Sequence, residues 1–204
     1  MNLPAIAPSR PRLYLVRHGE TAWSLTGQHT GLTDLPLTPH GEYQAQKLAP
    51  HFVDLSFAHV LTSPMQRARR TCELAGLSLM AEIESNLAEW DYGDYEGQRS
   101  VDIRQQRPDW NIFHDGCPQG ESPMQITARA DCLIAYLRTL NGNIALFSHG
   151  QFGLVLAARW IGLALIEAQH FWLSTASISI LDYNPHHPEV AVIAQWNVAA
   201  YESQ

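Results

Sequence analysis

Two short apolar runs in this chain each end at a histidine that is followed by glycine. Residues 13–16 lead into Arg17-His18-Gly19, and residues 144–147 lead into Ser148-His149-Gly150. Apolar runs of this length with β-branched and aromatic members are typical of buried parallel strands. Ligands of open parallel sheets bind beyond the carboxyl ends of the strands. We therefore expect both histidines at one site, where the neighbouring arginine favours an anionic ligand.

The rest of the chain alternates helix and strand signals, which is the pattern of an α/β fold. Thr38-Pro39 and Ser63-Pro64 each predict a helix start, because a Ser or Thr cap is often followed by proline at the first helical position. A capping box at residues 122–125 predicts a third helix. Further signals predict strands at residues 59–62, 79–83, 177–182 and 190–196, and a helix at residues 152–161.

Length and charge limit the classes of protein that this chain can represent. Its 204 residues, 46% of them apolar, suit one domain, which we place at residues 12–204 after a flexible tail at residues 1–11. The net charge of −7 argues against a nucleic-acid partner. No run approaches the ~18 apolar residues of a membrane span. Three cysteines without CxxC spacing indicate reduced thiols, so we expect a cytoplasmic protein.

The first chemical motif is Arg17-His18. A neutral imidazole can attack phosphorus and form a phosphohistidine, which divides one hard displacement into two easier ones. The nucleophile needs cationic neighbours, because a phosphate monoester carries about −1.5 to −2 charges. Arg17 supplies one cation whose fork can bind two phosphate oxygens. The alternative is a buried histidine whose two nitrogens are satisfied within the protein.

The second motif opens a predicted helix. Arg67 lies about one turn after Ser63, near the positive end of the helix, where anions are stabilised. We predict Arg67 as a second phosphate ligand and expect Arg69 and Arg70 to be solvated or structural. The alternative is an ordinary basic helix face.

The third motif is an acidic and aromatic loop around Glu89. The alkoxide that leaves a phosphoester needs a proton, and a carboxylic acid with a raised pKa in a partly apolar pocket can provide it. Trp90 and Tyr92 give Glu89 such surroundings. We expect Asp91, Asp94 and Glu96 to be little more than an acidic surface loop.

Together these motifs resemble the histidine phosphatase superfamily, which includes the cofactor-dependent phosphoglycerate mutases. The resemblance implies a three-layer α/β/α fold with a central, mostly parallel sheet flanked by helices. It implies His18 as nucleophile, Glu89 as general acid and later base, and Arg17, Arg67 and His149 as ligands of the phosphoryl group. It implies no metal and no cofactor. The matching motifs span roughly three quarters of the chain, in the order of the family.

A narrower likeness concerns the substrate, which we expect to be a small phosphoester. Residues 23–34, 89–97 and 115–122 are similar to sedoheptulose-1,7-bisphosphatase-like phosphatases, which points to a phosphorylated sugar. The predicted substrate-binding residues are Thr30 and Gly31, through a hydroxyl and a backbone N–H, together with Ser24, Gln28, Tyr92 and Gln151. Weaker candidates, for which packing or turn roles are the alternative, are His29, Trp110, Phe113 and Glu121.

Other functions remain open at this point. A phosphoglycerate mutase is disfavoured because Ser24, Trp90 and Ser100 stand where mutases carry Asn, Arg and Lys, so two cations that would bind a second anionic group are missing. A non-catalytic protein that binds a phosphorylated ligand would be expected to lack the nucleophile or the acid. A metal site at His186-His187 is disfavoured because adjacent loop residues seldom chelate one ion. The sequence leaves homo-oligomerisation open.

Overall fold

The computed structural model describes residues 10–199, which form one six-stranded sheet with helices on both faces. The strand order is β3-β2-β4-β1-β5-β6. Strands β1 to β4 are mutually parallel, β5 is antiparallel to β1, and β6 is antiparallel to β5. The predicted mostly parallel sheet is therefore confirmed. The strands are β1 (Arg12–Arg17), β2 (Phe57–Thr62), β3 (Ala81–Ile83), β4 (Asn143–Ser148), β5 (Ser177–Tyr183) and β6 (Ala191–Ala199).

The helices are short, apart from two that cover one face of the sheet. They are α1 (Ala22–Thr26), α2 (Pro39–Gln46), α3 (Gln66–Leu74), α4 (Ser100–Gln106), α5 (Ile112–Asp115), α6 (Pro123–Leu137) and α7 (Gly150–Trp160). Five 3₁₀ helices complete the connections: Ala49–His51, Ser78–Met80, Ser85–Leu87, Gly93–Tyr95 and Leu165–His170. The sequence analysis missed α1, α4 and α5, which are too short to show a clear apolar period.

Two of the three predicted helix starts are confirmed. The Thr38 hydroxyl accepts the Gly41 N–H, and Ser122 forms a capping box with Gln125. The third is wrong, because α3 begins after Met65, which makes no side-chain cap, and the Ser63 hydroxyl binds His149 instead.

The alternation of side chains along the strands divides the core into two layers. Leu13 and Leu15 of β1 pack with α6 and α7, whereas Tyr14 and Val16 pack on the side of α2 and α3. Successive residues of a strand point to opposite faces, so four consecutive apolar residues serve both layers. This is the three-layer α/β/α arrangement that the resemblance implied.

The pairing of β1 with β4 brings the two histidine turns together. Arg17 lies opposite Ser148 in the parallel register, so His18 and His149 leave neighbouring strands at the same level. Gly19 permits the start of α2 to dock here, because a Cβ on Gly19 would lie 2.3 Å from the Gly41 carbonyl oxygen. Glycine at position 19 therefore allows close backbone packing. A positive φ is not the reason for it, because φ at Gly19 is not positive.

Most of the predicted tail, residues 1–11, lies outside the described residues. Of the two residues that are described, Arg10 places its guanidinium 4.8 Å from the Tyr183 ring centroid, and Pro11 is buried. Among residues 10–199, no helix is both long and apolar enough to cross a membrane.

Candidate active site

A cavity of about 390 Å³ opens at the carboxyl ends of β1 and β4. Four of the predicted site residues that line it are Arg17, His18, Glu89 and Gln151. A larger groove of about 640 Å³ lies beside α2 and α3, and none of the five predicted catalytic residues lines it. The smaller cavity is therefore the candidate active site.

His18 has the form that a nucleophile requires. It is 4% exposed, and its Nδ1 lies 2.7 Å from the Gly19 carbonyl oxygen, which makes Nδ1 the protonated nitrogen. Nε2, which then carries the lone pair, has no hydrogen-bond partner among the described residues. Burial, with smaller effects from Arg67 and Arg17, lowers the pKa of His18 well below its ordinary value. The imidazole is therefore neutral at neutral and mildly acidic pH.

His149 lies beside His18, with ring centroids 5.2 Å apart, but its nitrogens are already used. Nε2 lies 2.7 Å from the Ser63 hydroxyl, and Nδ1 accepts a hydrogen bond of 3.2 Å from Arg67 Nε. Burial, followed by the charge of Arg67, lowers the pKa of His149 well below its usual range. In this arrangement His149 holds Arg67 in place, and direct contact with a phosphoryl group would require one of these two bonds to be exchanged.

Arg67 is fully buried, and its guanidinium mainly binds protein atoms. Besides His149, it donates to the carbonyl oxygens of Thr30, Gly31 and Thr33 at 2.8–3.0 Å. Its charge nevertheless acts on His18, whose pKa it lowers. Arg17, by contrast, lines the cavity while one Nη donates to the Leu173 carbonyl oxygen. Of the two predicted phosphate ligands, Arg17 has the better access to a ligand.

Glu89 binds the start of α7 with both carboxyl oxygens. Oε1 accepts the N–H groups of Trp90 and Phe152, and Oε2 accepts the N–H of Gln151. Burial raises the pKa of Glu89, and the three N–H groups oppose that rise without cancelling it. The predicted raised pKa is thus present, and the helix start fixes the position of the carboxyl group.

A partly buried arginine that the sequence analysis did not single out holds the Glu89 segment. Arg129 of α6 donates to the carbonyl oxygens of Asn86, Ala88 and Glu89 and forms a two-point ion pair with Glu121, both contacts 2.7 Å long. Glu121 therefore orients Arg129, which supports the alternative reading of a structural role. Position 129 lies on the predicted α6, but nothing in its local sequence distinguishes it from a solvated arginine.

Glu96 is not the surface residue that we expected. Its carboxylate accepts the N–H groups of Gly31 and Thr33, which orders the loop whose carbonyl oxygens bind Arg67. Glu96 occupies the Gly31 N–H in this structure, so the use of that donor for phosphate stays a prediction and would require this bond to be exchanged. A Cβ on Gly31 would also lie 2.5 Å from the Trp90 carbonyl oxygen, which explains the glycine.

The remaining predicted substrate-binding residues do line the cavity, namely Ser24, Gln28, Thr30, Tyr92 and Gln151. Ser24 is engaged in the capping box of α1, and Gln28 donates to the Gly97 carbonyl oxygen. The side-chain oxygen of Gln151 is buried without a hydrogen-bond partner among the described residues. A donor on a bound ligand would satisfy that oxygen.

Aromatic side chains form one wall beneath these groups. His29 stacks on Tyr92 with ring centroids 4.5 Å apart and contacts the edge of Trp110. Burial, then the charge of Arg104, lowers the pKa of His29 to about 4, so this imidazole is neutral. Trp110 and Phe113 are mainly core residues, although Phe113 also reaches the cavity.

The other basic groups that the sequence analysis considered lie elsewhere. Arg70 forms exposed ion pairs with Glu42 and Glu73. The His186-His187 pair lies on an exposed turn whose N–H groups bind the Asn184 side chain. Within residues 10–199, no three His, Cys, Asp or Glu side chains are grouped so that they could hold a metal ion.

Comparison with known proteins assigns the family. The family model described as the histidine phosphatase superfamily (branch 1) matches residues 13–196. The chain belongs to the histidine phosphatase superfamily. Both histidine turns of this histidine phosphatase lie within the matched residues, as do Arg67 and Glu89. The predicted resemblance, fold and class of phosphatase are thereby confirmed.

This histidine phosphatase is similar to proteins from bacteria and yeast. It is 42% identical over 186 residues to an acid phosphatase of Mycobacterium tuberculosis, covering 89% of this chain and 91% of that one. It is 38% identical over 188 residues to sedoheptulose 1,7-bisphosphatase of Saccharomyces cerevisiae, covering 76% and 69% of the two chains. The solved structure of an open reading frame from M. tuberculosis superposes with a TM-score of 0.87 at 38% identity, covering 93% and 98%.

Proposed function

We propose that this chain hydrolyses phosphomonoesters of small metabolites through a phosphohistidine intermediate. The observation that carries the proposal is the neutral His18 in one cavity with Arg17 and the buried Glu89, with no hydrogen-bond partner for its Nε2 among residues 10–199. A nucleophile, a cation and a proton donor that share one cavity match the three needs of phosphoryl transfer.

In the first step, the Nε2 lone pair of His18 attacks phosphorus and the bond to the leaving oxygen breaks. Arg17 binds the phosphoryl oxygens, and the charge of Arg67 supports it from behind the histidine pair. The protonated Glu89 gives its proton to the leaving oxygen, so the alcohol departs neutral. The products of this step are the alcohol, phosphohistidine and the Glu89 carboxylate.

In the second step, a water molecule replaces the alcohol, and the Glu89 carboxylate removes a proton from this water. The hydroxide attacks phosphorus, the bond to Nε2 breaks, and inorganic phosphate leaves. Three backbone N–H groups hold the carboxylate that forms between the two steps, so Glu89 need not move when it changes from acid to base.

The substrates that we propose are sugar phosphates or bisphosphates, such as sedoheptulose 1,7-bisphosphate. Support comes from the relatives, which bear the names acid phosphatase and sedoheptulose 1,7-bisphosphatase. The neutral hydrogen-bonding side chains of the cavity wall, among them Ser24, Gln28 and Gln151, suit sugar hydroxyls.

A phosphoglycerate mutase is the alternative that the site favours less. Trp90 is fully buried, and its indole N–H donates to the Glu121 carbonyl oxygen. Ser100 lines the cavity and contacts His29. Neither position supplies the cation that would hold a second anionic group of a mutase substrate, and this supports release of the phosphoryl group to water.

The test is phosphate release from a panel of small phosphoesters by the wild type and by His18→Ala. The panel contains sugar monophosphates and bisphosphates, 3-phosphoglycerate and 4-nitrophenyl phosphate. We expect His18→Ala to lower the rate by about 10⁴-fold or more and to abolish phosphohistidine labelling. Arg69→Ala, remote from the cavity, serves as the control. Equal turnover by wild type and His18→Ala would refute the mechanism.

A further inference from the structure

Among the described residues that line the cavity, Arg17 is the one lysine or arginine, and most of the others are neutral, several of them aromatic. We infer that the site selects phosphomonoesters whose leaving group is uncharged and has an apolar ring face, which stacks on Trp172, and that it discriminates against bisphosphates. This inference rests on the proposed function and decides between its two classes of sugar phosphate.

The first support is the distribution of cations. Arg17 is the one Lys or Arg side chain that lines the cavity within residues 10–199. Arg67 does not line it but adds its charge close to His18 and His149. Residues 1–9 and 200–204 contain no Lys and no Arg. A second phosphate in the cavity would therefore meet no second lysine or arginine side chain among the described lining residues.

Two other arginines, which lie near the lining residues Gln28 and His29, bind other protein groups. Arg99, whose backbone pairs with Gln28, makes a two-point ion pair with Asp102. Arg104 donates to the Trp110 carbonyl oxygen. His29, which does line the cavity, is neutral because burial lowers its pKa to about 4. Arg99 and Arg104 could bind a second phosphate only by losing an existing interaction, and the neutral His29 supplies no charge for it.

The second support is the apolar part of the cavity lining. Phe113, Leu154, Phe171 and Leu173 supply apolar surface, and Trp172 borders the same cavity with 72% of its surface exposed. An exposed indole that lines a cavity can offer its ring face to a bound ligand, and stacking on such a face favours apolar and ring surfaces over anions. The net charge of −7 adds a long-range repulsion that grows with substrate charge.

The experiment compares kcat/KM for fructose 1,6-bisphosphate with kcat/KM for fructose 1-phosphate and fructose 6-phosphate, which differ from it by one phosphate. We expect kcat/KM for the bisphosphate to be at least about tenfold lower than for either monophosphate, because its second phosphate would lose water without gaining a cation. Hydrolysis of the bisphosphate at a rate equal to or above both monophosphates would overturn the inference.

Two variants test the physical cause. Gln169 also lines the cavity, and Gln169→Arg adds a second cation to this lining, with Gln169→Met as the uncharged control of similar length. We expect the Arg variant alone to raise the ratio of bisphosphate to monophosphate kcat/KM by about tenfold. Trp172→Ala should lower kcat/KM for 4-nitrophenyl phosphate about three- to tenfold relative to glycerol phosphate. An unchanged ratio in both tests would refute the inference.

Failure of the proposed function is recognised separately. It would appear as turnover of 4-nitrophenyl phosphate that survives in His18→Ala, or as no turnover of any ester by the wild type. In that event, calorimetric titration of the wild type with the three fructose phosphates still tests the inference, because selection against the second phosphate would appear as weaker binding. Equal or tighter binding of the bisphosphate would overturn it.

Discussion

His18 and Glu89 share one cavity with pKa values displaced in opposite directions. Burial disfavours the charged form of each, which lowers the pKa of the imidazole and raises that of the carboxyl group. Both shifts therefore favour the neutral base together with the protonated acid. Both forms are those that the first step of the proposed reaction needs.

The corresponding prediction concerns the alkaline limb of the pH profile. Above the raised pKa of Glu89 the carboxyl group has lost its proton, so kcat/KM for an alkyl phosphate should fall as pH rises, which places the optimum at mildly acidic pH. Glu89→Gln should lower the alkyl phosphate rate by about 10²–10⁴-fold, lower the 4-nitrophenyl phosphate rate much less, and remove this limb. Any fall of kcat/KM at alkaline pH that remains in the variant arises from ionisation of the substrate. Unchanged alkyl phosphate turnover would contradict the assignment.

At the scale of elements, α6 holds the segment around Glu89 in place, although Glu89 lies outside this helix. Arg129 ties three carbonyl oxygens of the segment around Glu89 to α6, while Glu89 itself binds the start of α7. Arg129 also lies over the Phe152 ring of α7, 4.3 Å from its centroid. The acid is therefore fixed between two helices, and we propose Arg129 and Glu121 as positioning residues.

We predict that Arg129→Met, which keeps the contact with Phe152, lowers kcat for alkyl phosphates more than for 4-nitrophenyl phosphate. It should also lower the free energy of unfolding by about 3 kcal/mol, because the partly buried Glu121 loses its partner. The double variant Arg129→Met, Glu121→Gln should recover part of the stability without recovering activity. If the single variant slowed both esters equally, a role through Glu89 would be excluded.

The docking of α2 on the turn after β1 supplies a second prediction at this scale. A Cβ on Gly41 would lie 2.1 Å from the Glu20 carbonyl oxygen. Alanine is the better helix former by about 1 kcal/mol, yet we expect Gly41→Ala to destabilise the protein by about 2 kcal/mol or more, since backbone must move. Gln46→Ala, at an exposed position of the same helix, should change the stability by less than about 0.5 kcal/mol. Chemical denaturation measures both.

At the scale of the whole molecule, the fold keeps three histidines neutral below the pH at which they would charge in the unfolded chain. Burial lowers the pKa of His18, His29 and His149. Below about pH 6.5 the unfolded chain therefore binds more protons at these positions, so stability falls as pH falls. Glu89 acts in the opposite direction, because its raised pKa lets the folded state bind the extra proton.

We therefore predict that the free energy of unfolding decreases from pH 7 to pH 5. The free energy of unfolding should change by about 1.4 kcal/mol per pH unit for each proton that the unfolded chain binds in excess of the folded one. Glu89 offsets part of the effect of the three histidines. His29→Gln should reduce that slope by about one proton, because the unfolded variant no longer binds a proton at this position. Denaturation at several pH values measures the slope, and a flat or rising profile on acidification would disprove the prediction.

The parts of this protein that could be predicted from its sequence depend on local pattern. The apolar runs before His18 and His149 show as strands, and the caps at Thr38 and Ser122 mark helix starts, because neighbouring residues decide each of these features. The meeting of the two histidines also followed, since parallel strands share one carboxyl edge. The choice of Arg67 and Glu89 rested on a predicted helix start and on an acidic, aromatic loop, and the resemblance to the family agreed with it.

The partners of these groups could be decided only by the tertiary structure. His149 binds Ser63 across 86 positions, Glu96 binds the Gly31 amide across 65, and Arg129 binds the Ala88 carbonyl oxygen across 41. Whether a charged side chain is solvated or bound inside depends on which backbone donors and acceptors the packing leaves unpaired near it. That outcome is a property of the assembled layers, and it turned a predicted surface glutamate into the residue that orders the Arg67 loop.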